Sequence, residues 1–142
     1  MGLMRLAEIT AEFPYDGIET EDQMDFVQFP GIGVSTAIGE MLVALGCQVT
    51  APEHLGLHGW AFEATRSGDK YYAQVSDIGD SVVLEFEASF KIFHKARDAR
   101  FADLINRLHD LILKDPRFTS IGWYRDGKDY SRGNSPAPTP AG

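Results

Sequence analysis

Three strand-like runs between residues 60 and 88 constrain this chain more than any other feature. Trp60, Phe62 and Ala64 alternate with Ala61, Glu63 and Thr65. Tyr71, Ala73 and Val75 alternate with Tyr72, Gln74 and Ser76. Val82, Leu84, Phe86 and Ala88 alternate with Ser81, Val83, Glu85 and Glu87. Neighbouring side chains on a strand point to opposite faces, so each run has one apolar and one polar side. The short turns Ser67-Gly68-Asp69 and Gly79-Asp80 leave room only for antiparallel neighbours. The runs therefore predict a meander with one face that must be covered.

Two amphipathic segments can cover it. Val34, Ala37, Ile38, Met41, Leu42 and Leu45 recur at helical spacing, with Gly46 at the expected stop. Phe101, Leu104, Ile105, Leu108, Leu111 and Ile112 form a second stripe over 98–114, halted at Asp115-Pro116. Residues 3–13 alternate as a further strand, 47–50 as a short one, and 118–124 as a last one. Thr20 with Gln23 three residues on resembles a capping box, and with Glu21 and Asp22 it predicts a short acidic helix ending by Pro30. The economical arrangement is an α+β two-layer sandwich, an antiparallel sheet of four to five strands with two main helices on one face. Helices on both faces remain an alternative. One domain over 1–125 is expected, followed by a flexible Gly/Ser/Pro-rich tail over 126–142 that buries too little apolar surface to offset its ordering entropy.

Charge is divided along the chain. Residues 1–90 hold fifteen acidic groups against three basic ones (Arg5, Arg66, Lys70), a balance of −12. Residues 91–142 hold ten basic against six acidic, a balance of +4. A net charge of −8 repels phosphate backbones and argues against nucleic acid as a partner. The basic cluster Lys91, Lys95, Arg97, Arg100 and Arg107, interleaved with Phe90, Phe93 and Phe101, reads as a solvated helix face able to pair with the acidic half. Cys47 is the only cysteine, which excludes an intrachain disulfide. The opening residues lack a long apolar run, and no apolar stretch nears the roughly 18 residues of a membrane span. A cytoplasmic protein without membrane contact is expected.

Candidate chemistry is sparse, and no catalytic residue, metal or cofactor is expected. Gly31, Gly33, Ser35 and Thr36 precede or open the first helix, where free N–H groups can hold an anion, with Ser35 as the candidate N-cap. The phosphate-loop lysine and the third dinucleotide-binding glycine are absent, and Ser35 matches a nucleophile elbow incompletely. His54 and His58 are four apart, but Pro52, Gly56 and Gly59 oppose the helix that would give this spacing meaning; Cys47, Glu53, His94 and His109 add ligand types without a ligand spacing. Glu85 and Glu87 share one strand face about 7 Å apart, and Glu63 can join them from the next strand. The pairs Tyr71-Tyr72 and Trp123-Tyr124 each send one aromatic ring away from the core if both lie on strands. Tyr and Trp beside carboxylates are typical interface material, which makes Glu63, Tyr72, Glu85, Glu87 and Trp123 the candidate partner-binding set.

In size, acidity and α+β layout, residues 1–125 resemble the small bacterial immunity proteins, which bind and neutralise a cognate toxin domain. The resemblance implies a non-enzymatic, high-affinity complex in which Glu63, Glu85 and Glu87 face a basic toxin cleft. The chain is also similar to the acidic type III secretion chaperones, which implies an effector segment as partner. A small enzyme or ligand-binding domain is the alternative class, with His58 or His94 as proton carrier.

Overall fold

A computed structural model describes residues 3–89 and 95–140; Phe90, Lys91, Phe93, His94 and the side chain of Lys95 lie outside the described set. The elements are β1 (Met4–Ala11), β2 (Ile18–Glu19), β3 (Phe26–Gln28), α1 (Ile32–Ala44), β4 (Gln48–Val49), β5 (Glu53–His54), β6 (Trp60–Arg66), β7 (Asp69–Asp77), β8 (Val82–Ser89), α2 (Lys95–Lys114), β9 (Phe118–Tyr124) and α3 (Gly127–Ser131). A single 3₁₀ turn, Gly56–His58, precedes β6.

The meander forms as the alternation requires. β6 and β7 are joined by Ser67 and Gly68, whose φ of 51° and 81° are the left-handed pair a two-residue hairpin turn demands. β8 then pairs with β7 in register from Lys70↔Ser89 to Asp77↔Val82. β1 inserts beside β8, and β9 beside β1, so the main sheet runs β4-β6-β7-β8-β1-β9 with β5 also paired to β6. The sheet thus has seven strands rather than the four to five expected: the short run at 47–50 pairs with β6 as β4, and a two-residue strand at 53–54, too short to show a periodic signal, docks on β6 as well. The α+β class holds.

The inner face carries Ala7, Ile9, Phe62, Tyr71, Val75, Leu84 and Phe86, and these share one buried cluster with Ile38 and Leu42 of α1 and Phe101, Leu104, Leu108 and Ile112 of α2. Tyr71 stacks on Phe86 at 5.5 Å and Phe86 on Phe101 at 6.0 Å, which ties the meander to α2 through ring faces. Both main helices cover this one face. Among the described residues no helix is long and apolar enough to cross a membrane.

One expectation is corrected. The acidic helix after Thr20 is instead the β2–β3 hairpin: Thr20 Oγ1 donates to Asp22 rather than capping a helix, and Gln23 turns the chain at φ 60°. Residues 126–140 also make contacts with one another and with the sheet. Asp126 caps α3 by accepting from the Asp129 N–H at 2.9 Å. Ala137 exchanges two backbone hydrogen bonds with Trp123, each 2.8 Å, along the free edge of β9. Tyr130 Oη donates to Glu8 at 2.8 Å, and its ring meets Tyr124 edge-on at 5.0 Å. Pro136 approaches so closely that a Cβ at Gly122 would lie 2.6 Å from it. Composition alone could not anticipate contacts that reach back more than a hundred residues.

Candidate functional site

The polar sides of β6, β7 and β8 form the outer face of the meander. Register sets Glu63 opposite Tyr72 and Tyr72 opposite Glu87, so the three side chains make one row across three strands. Glu85 lies two residues along β8 in the next row, opposite Gln74. Tyr72 is 38% exposed. Its hydroxyl pKa is raised by partial burial first, then by Glu53, Glu85, Glu63 and Glu87. Four carboxylates thus surround one phenol, which stays neutral and able to donate throughout the physiological range. Lys70 Nζ contacts Glu63 at 3.3 Å, an exposed pair that adds little to stability. A ring face inside a fence of carboxylates is suited to a cationic side chain, which gains cation–π and Coulomb attraction together.

Four of the five expected partner-binding residues therefore meet on one face: Glu63, Tyr72, Glu85 and Glu87. Trp123 does not join them. It lies opposite Ala7 on the inner face, is 1% exposed, and donates its indole N–H to His109 Nδ1 at 2.9 Å. Its neighbour Tyr124 is the outward member of the pair, but it is covered to 7% exposure. Nothing in the sequence places Glu53, the fourth carboxylate at Tyr72, beside that ring, because only the pairing of β5 with β6 brings it there.

The helix N-terminus at Gly31 already holds an anion, and it belongs to the chain. Asp16 accepts from the Gly31 and Gly33 N–H groups through its two carboxylate oxygens, both at 2.7 Å. This satisfies the donors that an external phosphate would need. Ser35 lies inside α1 and is buried, and its N–H bonds to Gly31 O at 2.9 Å. It is neither an N-cap nor an accessible nucleophile. Thr36 is exposed on the first turns of the same helix.

The histidines separate. His54 Nε2 accepts from the Phe29 N–H at 3.0 Å, while Trp60 Nε1 donates to Phe29 O at 3.0 Å, so two rings hold both backbone polar groups of one residue. His58 sits on the 3₁₀ turn, where its carbonyl takes the Gln74 and Ser76 side chains at 3.1 Å each. Among the described residues no group of three or more His, Cys, Asp or Glu side chains is placed to hold a metal. Cys47 is buried, and burial pushes its thiol pKa up against the opposing pull of Arg66.

The basic helix is partly committed within the fold. Arg100 grips both oxygens of the buried Asp69, with Arg97 at 3.8 Å. The Arg100 hydrogen bonds hold the Asp69 carboxyl below the usual range despite its burial. Arg107 pairs with Asp103 one turn away. The cluster thus serves partly to seat α2 on the β6–β7 turn. No family model, curated protein or solved structure matches this chain.

Proposed function

We propose that this chain is a protein-binding module of the immunity type, which blocks a basic toxin domain by seating a cationic side chain on Tyr72. The observation that supports the reading is the exposed Tyr72 ring fenced by Glu53, Glu63, Glu85 and Glu87 on a sheet face that the two main helices leave bare. Carboxylates at the rim accelerate encounter with a basic surface, and the aromatic centre supplies contact area that excludes water. The same chemistry does not require a catalytic group, and the carboxylates sit on the rigid strands of a meander rather than on loops.

The test is kinetic. The cognate partner, recovered by cross-linking in the native cell, is titrated with the wild type and with Glu85→Lys/Glu87→Lys. The association rate at low salt is expected to fall by about tenfold or more, its salt dependence to flatten, and inhibition of the partner's activity to weaken in parallel. An unchanged association rate and salt slope would remove the interface from this face. Tyr72→Ser is expected to act mainly on dissociation, raising that rate by about tenfold.

A further inference from the structure

A cleft of about 470 Å³ opens between the end of β1, the β2–β3 hairpin, the start of α1 and the β7–β8 turn. Its apolar lining comes from Phe13, Phe26, Phe29, Val34 and Val82. At its mouth Tyr15 is 66% exposed and Ile78 is 56% exposed, a large apolar area to leave in water. The Tyr15 ring lies over Gly17, where an added Cβ would come 2.5 Å from the tyrosine hydroxyl. The lining is also prearranged. Phe29 is fixed through its backbone N–H and C=O by His54 and Trp60, and its ring packs on Phe26 at 4.5 Å. A partner entering such a cleft loses little to reorganisation.

The charge around the mouth has one sign. No lysine or arginine occurs between Arg5 and Arg66, the stretch that supplies the hairpin and α1. Asp16, Glu19 and Asp77 raise the pKa of the Tyr15 hydroxyl together with partial burial, which comes first. Among the described residues none of the three forms an ion pair with a cationic side chain. Arg117, which stacks on the Phe13 ring at 4.7 Å, is already paired with Asp115.

We propose that this cleft docks a short peptide segment of a partner, with an aliphatic or aromatic anchor in the aromatic lining and a lysine or arginine beside it at the Asp16–Glu19–Asp77 mouth. Apolar lining and carboxylates bonded to backbone N–H groups but lacking, among the described residues, a cationic side-chain partner select for both features at once, because the anchor alone gains no Coulomb attraction and the cation alone gains no burial. The site is separate from the Tyr72 face and goes beyond the function proposed for it.

The test is selection of a random heptapeptide library on the full-length protein, followed by titration of the best synthetic peptide. Enriched sequences are expected to combine Leu, Phe or Trp with a Lys or Arg within two positions. Glu19→Lys is expected to weaken the peptide by about three- to tenfold and Tyr15→Ser by a similar factor, while Glu87→Lys leaves it unchanged. Both substitutions are at exposed positions, and circular dichroism checks that the fold persists. Failure to enrich any motif, enrichment of acidic peptides, or sensitivity to Glu87→Lys instead of Glu19→Lys would overturn the proposal. The last outcome would still leave the Tyr72 face standing, so the two readings fail separately.

Discussion

The outer face of the sheet is built twice from the same materials and finished in two different ways. Over β1 and β9 it offers Glu8 and Tyr124, and there the chain supplies its own cover: Tyr130 donates to Glu8, lies edge-on to Tyr124, and the segment up to Pro140 is tied back by Arg5 at 2.8 Å. Over β6 to β8 it offers Tyr72 and four glutamates, and Tyr72 remains 38% exposed against 7% for Tyr124. The covered half shows what this surface accepts: an aromatic ring together with a hydrogen-bond donor for the carboxylate. The bare half has the same acceptors in greater number, and of the four glutamates only Glu63 has an ion pair among the described residues, with the exposed Lys70. This contrast is the physical basis for assigning the partner to the Tyr72 side.

The most severe way to break the contrast is to remove the cover. Deleting residues 126–142 exposes Tyr124, removes the two backbone bonds of Trp123 to Ala137, and frees the edge of β9. A loss of about 2–4 kcal/mol is expected, from apolar area and two backbone hydrogen bonds, and with it a fall in Tm of about 10 °C. The freed edge also invites pairing between molecules, so light scattering should rise on heating. A thermal melt identical to that of the full chain would mean that the cover contributes nothing, and the two halves would no longer differ in kind.

A smaller change isolates the hydroxyl. Tyr130→Phe keeps the ring against Tyr124 but leaves Glu8 with Ser81 Oγ, at 3.1 Å, as its remaining side-chain donor. The expected cost is about 1 kcal/mol by chemical denaturation. Tyr72→Phe on the bare half should change stability by less than about 0.5 kcal/mol, since among the described residues no acceptor takes its hydroxyl and surface substitutions are usually that mild. Equal losses from the two substitutions would show that Tyr72 is already engaged within the chain.

Much of this architecture was legible in the residues, and the exceptions share a cause. Alternation and turn chemistry predicted β6, β7 and β8, and the apolar stripes predicted α1 and most of α2. Residues 118–124 form the strand their pattern suggests. The rule that adjacent aromatics on a strand part to opposite faces also holds, with Tyr71 inward and Tyr72 outward, and Trp123 inward and Tyr124 outward. What the rule could not supply was the side on which each pair falls, which depends on register with Ala7. Three further features turn on partners distant in sequence: Asp16 on the Gly31 and Gly33 N–H groups, Glu53 near Tyr72, and Tyr130 on Glu8. Local periodicity carries no record of such contacts. The hairpin at 18–28 failed differently, because the capping pattern of Thr20 is also a turn pattern when Asp22 is the nearer acceptor.

The gentlest test reads the two halves by tyrosine ionisation. The five tyrosines all titrate above their ordinary value of 10.0, and Tyr71, buried beside Asp69, is pushed up to about 12. A raised folded pKa means that the native state retains the proton, so this contribution to stability is complete below pH 10 and is lost as pH climbs through the folded values. Absorbance at alkaline pH should therefore resolve a late step from Tyr71, which serves as an internal reference in every variant. Glu63→Gln/Glu87→Gln removes two of the four charges at Tyr72 and should bring that phenol down toward 10.0, leaving Tyr124 in place. Deleting the tail should do the reverse, lowering Tyr124 by stripping its cover and Asp129 while Tyr72 stays where it is. Binding of a cationic partner on the bare half replaces water around the Tyr72 ring but neutralises the glutamates that raise its pKa. The sign of the change on binding thus distinguishes a partner that pairs with the carboxylate fence, which lowers the Tyr72 pKa, from one that merely buries the ring, which raises it.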